Sequence, residues 1–446
     1  MKVQGIAVSS NPNVKYNVSN ELLAAVLARY SRSNEGIEKI MSQVDNSDHE
    51  KSVDRIFKFI DYGHASIGAL TGGIAIAIDN VSMWLAYKLF EICQLADGQE
   101  SSTRYIKMDE SSLPSAHDIG IPEDLAPAWN DLLSRCFKAY HDESEKLSKL
   151  AQEEPERIRL PSDPTKLLIE RLTKNYSLDR ARYFIPFATR TNVALVQNGR
   201  VWGQTIKYLS SMPQKEAQTL ASLLREELHK FSPRQVKHSF PESSFINECA
   251  SELSTSCHLV SCKLSHTCQP DNPWISVHKN TPPWLPPQQT IEQSLQHRIN
   301  RYSLCGSTVR RMQLSFGWEN IAVAELRDLN RHRTGHRYSP LIQTGIYTPP
   351  EINRDSHLQL FEDQTKLLRE LVDRQSPAYV YCLLLGSQTH FEHSTHVDKF
   401  IYEVELRTGL GAHFRYAEHL KNVLHKFYEL VPECNGFIKV GSAEPE

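Results

Sequence analysis

The chain has 446 residues, of which 40% are hydrophobic and 23% are charged. This balance is typical of a globular protein and excludes disorder along the whole chain. Fifty basic residues against 53 acidic ones give a net charge of −3, which argues against a general nucleic-acid coat or a polybasic membrane binder. The length predicts two or more compact units.

Targeting and redox features are sparse. The segment Met1–Ser10 has no apolar core of a secretory signal, and the longest apolar stretch, Leu70–Ile78, is too short to span a membrane. Nine cysteines are scattered without a disulfide framework, so reduced thiols in a cytoplasmic protein are the simplest interpretation.

The first half alternates helical and strand patterns. Val53, Ile56, Phe57 and Ile60 have helical spacing, and the run Ile74–Ile78 predicts a buried strand. The pattern that follows predicts a helix over Val81–Cys93, ahead of the polar segment Gln99–Tyr105. Further on we expect a long helical hairpin over Ala126–Glu154, an apolar run Tyr183–Phe187 and an amphipathic helix after Pro213.

The second half repeats this order. Met312–Phe316 alternates like a half-buried strand, and a helix over Glu319–Asn330 delivers the basic segment Arg331–Tyr338. A second long helical hairpin is expected over Leu358–Arg374. The apolar run Tyr379–Leu385 precedes Ser387–Asp398 and then helices, the last with Leu420, Val423, Leu424 and Phe427 on one face. The matching order predicts a fused duplication with an α+β fold.

A proline-rich stretch separates the halves. Prolines recur through Pro270–Gln289, and proline removes backbone donors and disfavours helix in the residue before it. We therefore predict an N-terminal module over 1–235, a Cys/Pro-rich linker over 236–295 and a C-terminal module over 296–446.

The arginine cluster Arg331, His332, Arg333 and Arg337 is the sharpest local feature. Guanidinium groups recognise phosphate in planar, two-pronged fashion, so such a cluster suits a nucleotide or dinucleotide. The same run could also be a solvated end of a helix, because cations are favourable near a helix C-terminus. The segment Glu100–Tyr105 could equally be a polar loop, and His64 a capping residue.

These motifs resemble those of the flavin-dependent thymidylate synthases (ThyX), which carry an Arg-His-Arg triplet, a short spacer and Glu-x-Ser-x-Arg-Tyr. The first half keeps Glu100, Ser102, Arg104 and Tyr105, with Ile92-Cys93-Gln94 where the triplet belongs. The second half keeps the triplet at Arg331 with Arg337 and Tyr338, but lacks the Glu-x-Ser element. Further matches are Leu27–Ser33, Gly63-His64, Asn198-Gly199-Arg200, Leu406-Arg407 and His413.

The resemblance implies two ThyX-like modules, each a mixed sheet with packed long helices. It implies FAD as cofactor, methylenetetrahydrofolate and NADPH as co-substrates, and one-carbon transfer to C5 of dUMP. By the resemblance, flavin contacts fall to His64, Asn198, Arg200, Arg331, His332 and Arg333. Substrate contacts fall to Glu100, Ser102, Arg104 and Arg407, and catalytic roles to Arg104, Arg337 and Arg407.

The resemblance also implies an assembly. Because family members are homotetramers with composite sites, it implies a homodimer whose four modules form a pseudo-tetramer, each half supplying residues that the other has lost.

Three alternatives stay open at this stage. One keeps the flavin but modifies a different nucleotide or small molecule, and another is a flavin- or nucleotide-binding protein without turnover. The third is a metal site among either of two clusters, although their spacing departs from the paired cysteines of structural zinc; the clusters are Cys257, His258, Cys262, His266 and Cys268, and His390, His393 and His396. We predict no metal.

Overall fold

The protein is described by a computed structural model. It covers residues 1–6, 18–30, 37–45, 49–58, 66–92, 97–104, 108–160, 162–279, 290–332, 334–409 and 412–441. His64, Tyr105 and Arg333 therefore lie outside the described residues, as do parts of the Leu27–Ser33, Ile92–Gln94 and proline-rich segments.

The strands and helices are numbered in chain order. The strands are β1 Lys2–Ile6, β2 Ile74–Ser82, β3 Asp97–Glu100, β4 Arg190–Gln197, β5 Pro273–His278, β6 Gln313–Ala322, β7 His336–Tyr338, β8 Gly345–Ile346 and β9 Ser387–His396. The helices are α1 Asn20–Tyr30, α2 Ile37–Asp45, α3 His49–Phe57, α4 Ser66–Ala69, α5 Met83–Ile92, α6 Ala116–Ile119, α7 Ala126–Glu153, α8 Lys166–Ala181, α9 Gly199–Ser211, α10 Lys215–Phe231, α11 Ser243–Lys263, α12 Ser307–Arg311, α13 Val323–Leu329, α14 Leu358–Asp373, α15 Val397–Arg407 and α16 Phe414–Leu430.

The chain forms two compact units that interleave along the sequence. Unit 1 comprises Met1–Ser101, Asp118–Gly120 and Arg190–Ser254, and unit 2 comprises Ser102–His117, Ile121–Thr189 and Thr255–Glu446. The module boundaries at 235 and 295 concern the sequence repeat and stay a prediction.

Unit 1 contains a four-stranded sheet in the order β1-β2-β4-β3. Ile74, Ile76 and Ile78 of β2 are buried at alternate positions, as the period of a strand requires. Helix α5 packs on β2 and β4, and α10 packs on α9 and β1. The apolar stripe expected after Pro213 is buried along α10, at Ala217, Leu220, Ala221, Leu224 and Leu228.

Unit 2 repeats this plan with the order β5-β6-β9-β7, and β8 also pairs with β9. Helix α16 packs on β5 and α15, while α7 packs on α8 and α14. The helical hairpins expected over Ala126–Glu154 and Leu358–Arg374 are wrong, because each segment forms one continuous helix, α7 and α14. Phe316 and Trp318 of β6 and Phe400 of α15 form an aromatic part of the core.

The two sheets correspond residue by residue. In unit 1 the register of β2 and β4 shifts between the pairs Ile78–Val193 and Val81–Thr191. In unit 2 the register of β6 and β9 shifts between the corresponding pairs, Trp318–Phe391 and Ile321–Thr389. In each unit a helix begins directly after the inner strand, at Met83 or at Val323. A shared bulge is a specific feature, so the correspondence goes beyond strand order.

Equivalent segments of the two repeats also bond to each other inside unit 2. Phe187 N donates to Leu383 O at 2.8 Å, and Leu385 N donates to Ile185 O at 2.8 Å. These reciprocal bonds enclose the bridge between Pro186 and Leu384. The apolar runs at Tyr183 and Tyr379, which were expected to correspond, therefore meet as an antiparallel pair.

The α+β class is confirmed, and four further details of the expectation are wrong. The sheets are not mixed, because every strand pair among the described residues is antiparallel. The expected linker carries α11 and strand β5, which pairs with β6. The helix expected from Glu319 begins at Val323, because the residues before it continue β6.

The fourth correction concerns the shared Arg-Tyr ending. Glu100 pairs with Val193 on β4, whereas Tyr338 pairs with Glu392 on β9. Val193 of β4 and Phe391 of β9 occupy equivalent positions in the two sheets. The residue of unit 2 that is equivalent to Glu100 is therefore Ser339, directly after Tyr338. Arg104 and Arg337 therefore do not occupy equivalent positions in the fold, although a tyrosine follows each of them in the sequence.

Candidate functional site

Arg104 is fixed by an aspartate of α8. It follows β3 in a loop, is only 8% exposed, and its Nε and Nη2 donate to the two carboxylate oxygens of Asp179 at 2.9 and 3.0 Å. Burial lowers the pKa of Arg104, but the charge and hydrogen bonds of Asp179, together with the charges of Tyr416 and Asp328, outweigh it, so the pKa is raised. This two-pronged pair holds the guanidinium in one orientation.

Asp328 lies at the centre of a group that we call the Asp328 cluster: Asp328, Arg104, Arg182, Arg331 and Arg407. Arg182, 1% exposed, donates from Nη2 to Asp328 Oδ2 at 3.0 Å. Burial raises the pKa of Asp328, but Arg182, Arg331, Arg104 and Arg407, in that order, lower it well below its usual value. Arginines from the motifs of both sequence halves therefore act on one carboxylate within unit 2.

The end of helix α13 creates this arrangement. Asp328 belongs to the last turn, Leu329 ends the helix, and Arg331 follows the C-cap residue Asn330. Cations are favourable beside the exposed carbonyls of a helix C-terminus, so Arg331 is stable there before any ligand binds. The interpretation of the basic segment as the end of a helix is thus correct in part. In addition, Arg331 acts on the buried carboxylate of Asp328.

His332 is a neutral acceptor. Arg407 of α15 donates from Nε to His332 Nε2 at 2.8 Å, so the imidazole carries its proton on Nδ1. Burial lowers the pKa of His332 to about 3, and Arg407 adds to the lowering although Glu403 opposes it. Arg337 is fully buried and donates to the backbone carbonyl of His332. The basic segment is therefore tied together from two sides.

A second polar cluster in unit 2 surrounds Glu325, one turn before Asp328. Tyr183 donates its hydroxyl to Glu325 Oε1, and Arg415 Nε lies 3.6 Å from Glu325 Oε2. Burial raises the pKa of Glu325 to about 7, and Arg415 opposes that shift. The guanidinium of Arg415 also stacks 3.4 Å from the ring centre of Tyr347.

The remaining predicted residues are distributed differently. Ser102 belongs to unit 2, and its hydroxyl accepts from Arg104 N at 3.3 Å. Glu100, Asn198 and Arg200 belong to unit 1, where Glu100 ends β3 and Arg200 is exposed. Asn198 caps α9 by accepting from Val201 N at 3.0 Å. The cap gives Asn198 a structural role that needs no ligand.

Sequence reasoning missed a cleft that borders Arg104. Its cavity volume is about 130 Å³, and its lining includes Arg104, Arg157, Arg159 and Arg180 together with Tyr176 and Phe414. We call this cavity, with its four arginines, the arginine cleft. Arg104 follows β3, Arg157 and Arg159 follow α7, and Arg180 lies near the end of α8, so no single run of sequence displays them. Arg182 was missed because it stands alone before an apolar run.

Unit 1 carries inverted charges at the positions that correspond to the Asp328 cluster. Counting from Met83 and Val323, Lys88 corresponds to Asp328 and Glu91 to Arg331, one residue earlier than the sequence comparison placed the triplet. Lys88 and Glu91 form an ion pair, and Tyr87 donates its hydroxyl to Glu91 at 2.8 Å. Counting from the starts of α9 and α15, Leu209 takes the place of Arg407. At these described positions unit 1 therefore has a single cation, Lys88, and it is paired with Glu91.

The metal alternative gains no geometric support. Among the residues that the structure describes, no three His, Cys, Asp or Glu side chains are grouped so as to hold a metal ion. His393 instead bonds to the carbonyl of Thr334 at 2.7 Å and faces Glu403, and His390 lies 3.1 Å from the Lys263 ammonium. Within the same described ranges, no helix is long and apolar enough to cross a membrane.

Comparisons with known proteins match one half of the chain. The family model "Thy1: Thymidylate synthase complementing protein" matches residues 14–234. A UPF0159 protein of Thermoplasma acidophilum is 28% identical over 236 residues, which cover 48% of this chain and 47% of that protein. A UPF0159 protein of Chlamydia pneumoniae is 28% identical over 234 residues, covering 51% of this chain and 43% of that protein. The chain thus spans about half the length of the curated relatives that it matches.

A search of solved structures finds a UMP/dUMP methylase, PolB, from Streptomyces cacaoi, bound with 5-Br dUMP. It is 14% identical, covers 53% of this chain and 93% of its own, and has a TM-score of 0.34. A similarity of that degree carries no argument about fold or function. The family match rests on sequence, and through residues 14–234 the chain belongs to the Thy1 family of thymidylate synthase complementing proteins.

Proposed function

We propose that this protein is a flavin-dependent, thymidylate synthase-like enzyme that transfers a one-carbon unit from methylenetetrahydrofolate to C5 of a uridine nucleotide such as dUMP, with NADPH as reductant. The observation that carries the proposal is the Asp328 cluster. In a chain that matches the Thy1 family, it gathers Arg104, Arg331 and Arg407 around a single buried carboxylate.

The residues present fit the two anionic ligands that the proposal requires. A nucleotide phosphate and a flavin diphosphate both need cations that can donate several hydrogen bonds, and guanidinium groups provide them. Arg331, His332 and Arg333 are the proposed flavin contacts, with His64, Asn198 and Arg200 as further flavin-side contacts from the first half. The flavin, when bound, supplies the redox chemistry of the reaction.

The substrate side of the site is assigned to Arg407, Arg104, Ser102 and Glu100. Arg407 is oriented by its bond to the neutral His332, and Arg104 by its pair with Asp179. Both are cations held in place before a ligand arrives, which is the arrangement that stabilises negative charge developing on a pyrimidine ring.

The resemblance implies a catalytic role for Arg337, but we propose a different one. The side chain is fully buried and bonded to the His332 carbonyl. We therefore propose that Arg337 is a positioning residue for the basic segment, without contact to the reacting atoms.

The proposal treats the two halves as copies of one module that have diverged. Support comes from the matching strand orders and from the matching bulges. A homodimer would then contain four modules, as the resemblance to a homotetrameric family implies. Light scattering on the purified chain tests the dimer, and a mass of one chain contradicts it.

Two measurements test the activity. The absorption spectrum of the purified protein should show flavin bands, and incubation with C5-tritiated dUMP, methylenetetrahydrofolate and NADPH should release tritium to water. Replacing Arg407 with alanine should weaken dUMP binding by about 10- to 150-fold, the factor that a lost charged hydrogen bond of about 1.5–3 kcal/mol represents.

The matched control is Arg374→Ala. Arg374 is an exposed arginine that is ion-paired with Asp124, so its removal should leave tritium release and dUMP affinity unchanged. A colourless protein that releases no tritium even when FAD is added contradicts the proposal.

One observation favours a second candidate, a nucleotide- or flavin-binding protein without turnover. Asp328 already neutralises part of the arginine cluster, and Arg182 is paired with it directly. A cluster with its own internal carboxylate could bind a ligand weakly or only after rearrangement. Stoichiometric FAD binding with no tritium release under any donor would select this candidate over the enzyme.

A further inference from the structure

A pocket on the sheet of unit 2 is lined mainly by aromatic residues and glutamates. Its cavity volume is about 250 Å³, which is large compared with the space that a single water molecule needs. All of its lining residues belong to unit 2. We call it the aromatic pocket, and the lining residues on which its chemistry depends are Trp274, Tyr338, Glu319, Glu392 and His390.

One row of residues across the sheet builds this pocket. Trp274 of β5 pairs with Gly317 of β6, which pairs with Glu392 of β9. Glu392 in turn pairs with Tyr338 of β7. Paired residues of antiparallel strands point to the same face of a sheet, and neighbouring strands lie roughly 4.8 Å apart. Trp274 and Tyr338 therefore stand on one face with a carboxylate between them, and Gly317 adds no side chain to the gap.

The indole of Trp274 lies over Gly317. A Cβ atom at position 317 would be only 2.9 Å from Trp274 Cζ2 and 3.0 Å from Trp274 Cε2, so a larger residue there would displace the ring. Trp274 is 36% exposed and Tyr338 is 41% exposed. Two large aromatic side chains of one row are thus accessible to a ligand on the same face of the sheet.

The charges that line the aromatic pocket are negative. Glu319 and Glu392 are both exposed, and within the described part of the chain neither takes part in an ion pair. Glu319 accepts a hydrogen bond from Asn272 Nδ2 at 3.1 Å. His390 adds no positive charge near neutral pH, because burial lowers its pKa and Lys263 lowers it further. Lys263 donates to His390 at 3.1 Å from outside the lining, so one cation faces two carboxylates.

We propose that the aromatic pocket binds a small organic cation, such as a quaternary ammonium group. The negative face of an aromatic ring attracts a cation that lies within about 6 Å of its centre, and tryptophan provides the strongest such face. The neighbouring glutamates supply the counter-charge, and the same carboxylates repel an anion. A ligand of this class therefore uses both the rings and the charges that the row brings together.

The pocket is separate from the site proposed for the nucleotide and the flavin. Tyr338 follows Arg337 in β7, and successive side chains of a strand point to opposite faces of the sheet. Arg337 and its partner His393 are fully buried, whereas Tyr338 and its partner Glu392 are exposed. The aromatic pocket shares no lining residue with the arginine cleft or with the Asp328 cluster. The inference therefore goes beyond the proposed activity and does not require it.

Choline is the probe, titrated calorimetrically into the full-length chain at constant ionic strength. The control ligand is dimethylbutanol, which has the shape of choline with a neutral carbon in place of the nitrogen. We expect choline to bind saturably and dimethylbutanol to bind at least about fivefold more weakly, the factor that a cation–π contact of about 1 kcal/mol represents.

Substitutions separate the contribution of the ring from that of the charge. Trp274→Leu keeps an apolar side chain without an aromatic face and should weaken choline binding at least about fivefold, whereas Trp274→Phe keeps such a face and should weaken it less. Glu392→Gln keeps the shape of the side chain and should weaken binding of choline but not of dimethylbutanol. The matched control is Glu145→Gln, which removes the same charge from an exposed pair with Lys149. It should leave choline affinity within about twofold of wild type, since distant exposed charges are screened by salt.

Three results would overturn the inference. They are equal affinity for choline and dimethylbutanol, equal choline affinity in Glu392→Gln and Glu145→Gln, and no saturable choline binding by the wild type. In the last case, a lower molecular mass of Trp274→Leu by light scattering would identify the pocket as an interface between copies of the chain. Absence of flavin bands or tritium release would instead count against the proposed activity alone.

Discussion

A substitution at Asp328 tests directly whether its negative charge offsets the positive charges of the surrounding arginines. The substitution Asp328→Asn keeps the shape of the side chain and one oxygen for Arg182, but removes the negative charge that four arginines share. Breaking a buried ion pair by neutralising one partner destabilises a protein by about 3–5 kcal/mol. Because the asparagine oxygen keeps a hydrogen bond, we expect the lower end, about 3 kcal/mol, or about a 150-fold change in the unfolding equilibrium constant.

The pH dependence of stability gives the effect a distinctive signature. The pKa of Asp328 in the folded protein lies below its ordinary value of 3.8. Its ionisation therefore stabilises the fold fully above that value, and the stabilisation is lost as pH falls towards the folded-state pKa. Urea denaturation should show a large difference between wild type and Asp328→Asn at about pH 7, and the difference should narrow as pH falls below about 4.

The same substitution should affect ligand binding in the opposite direction. Without the carboxylate the cluster has one more unit of net positive charge, so the variant should bind dUMP more tightly than wild type, and added dUMP should raise its denaturation midpoint more than that of wild type. Asp124→Asn is the control, since it breaks an exposed pair with Arg374. If Asp328→Asn is no less stable than Asp124→Asn, and its stability difference does not depend on pH, the account of the cluster is wrong.

Other variants probe neighbouring groups. His332 should show no titration between about pH 5 and 8 by NMR, because its folded-state pKa is about 3; His332→Gln should therefore flatten the loss of stability that wild type shows as pH falls below the ordinary histidine pKa of 6.5. Glu325 has a folded-state pKa of about 7, so wild type should lose stability as pH rises from 4.5 to 7, and Glu325→Gln should reduce that loss in thermal melts. In unit 1, Lys88→Asp and Glu91→Arg should each destabilise, whereas the double exchange restores the pair, with a coupling of about 1 kcal/mol in a double-mutant cycle.

The sequence was informative about elements and less so about their ends. Ile74–Ile78 and the stripe from Ala217 to Leu228 were predicted because burial on one face imposes a period that the residues display. The helix expected at Glu319 was placed too early because the bulge in β6 moves polar residues to positions where a helix start is equally plausible. Strand β5 was hidden by the prolines on either side of it.

For the candidate site, the sequence identified arginines but not their counter-ions. Arg104 and Arg331 were found because each lies in a short motif, whereas Asp179 and Asp328 are single acidic residues within helices and resemble ordinary surface charges until the fold buries them. The arginine cleft was not predictable for the same reason. Its cations come from the loop after β3, the segment after α7 and the end of α8, and only the fold brings these segments together.

If the two halves are diverged copies of one module, as we propose, the charge inversion in unit 1 accounts for the loss of motif residues from one copy without loss of stability. Independent substitutions would replace the residue equivalent to Arg331 and the residue equivalent to Asp328 one at a time. The charge left without its partner would then destabilise the fold. Instead, Lys88 and Glu91 invert both charges and pair with each other, so neither charge is left without a counter-ion. The opposite half has changed in a complementary way, since His396 and Asp398 stand where unit 1 has Asn198 and Arg200. Because each half retains what the other has replaced, neither carries the full set of site residues alone, and the function that we propose belongs to the fused chain.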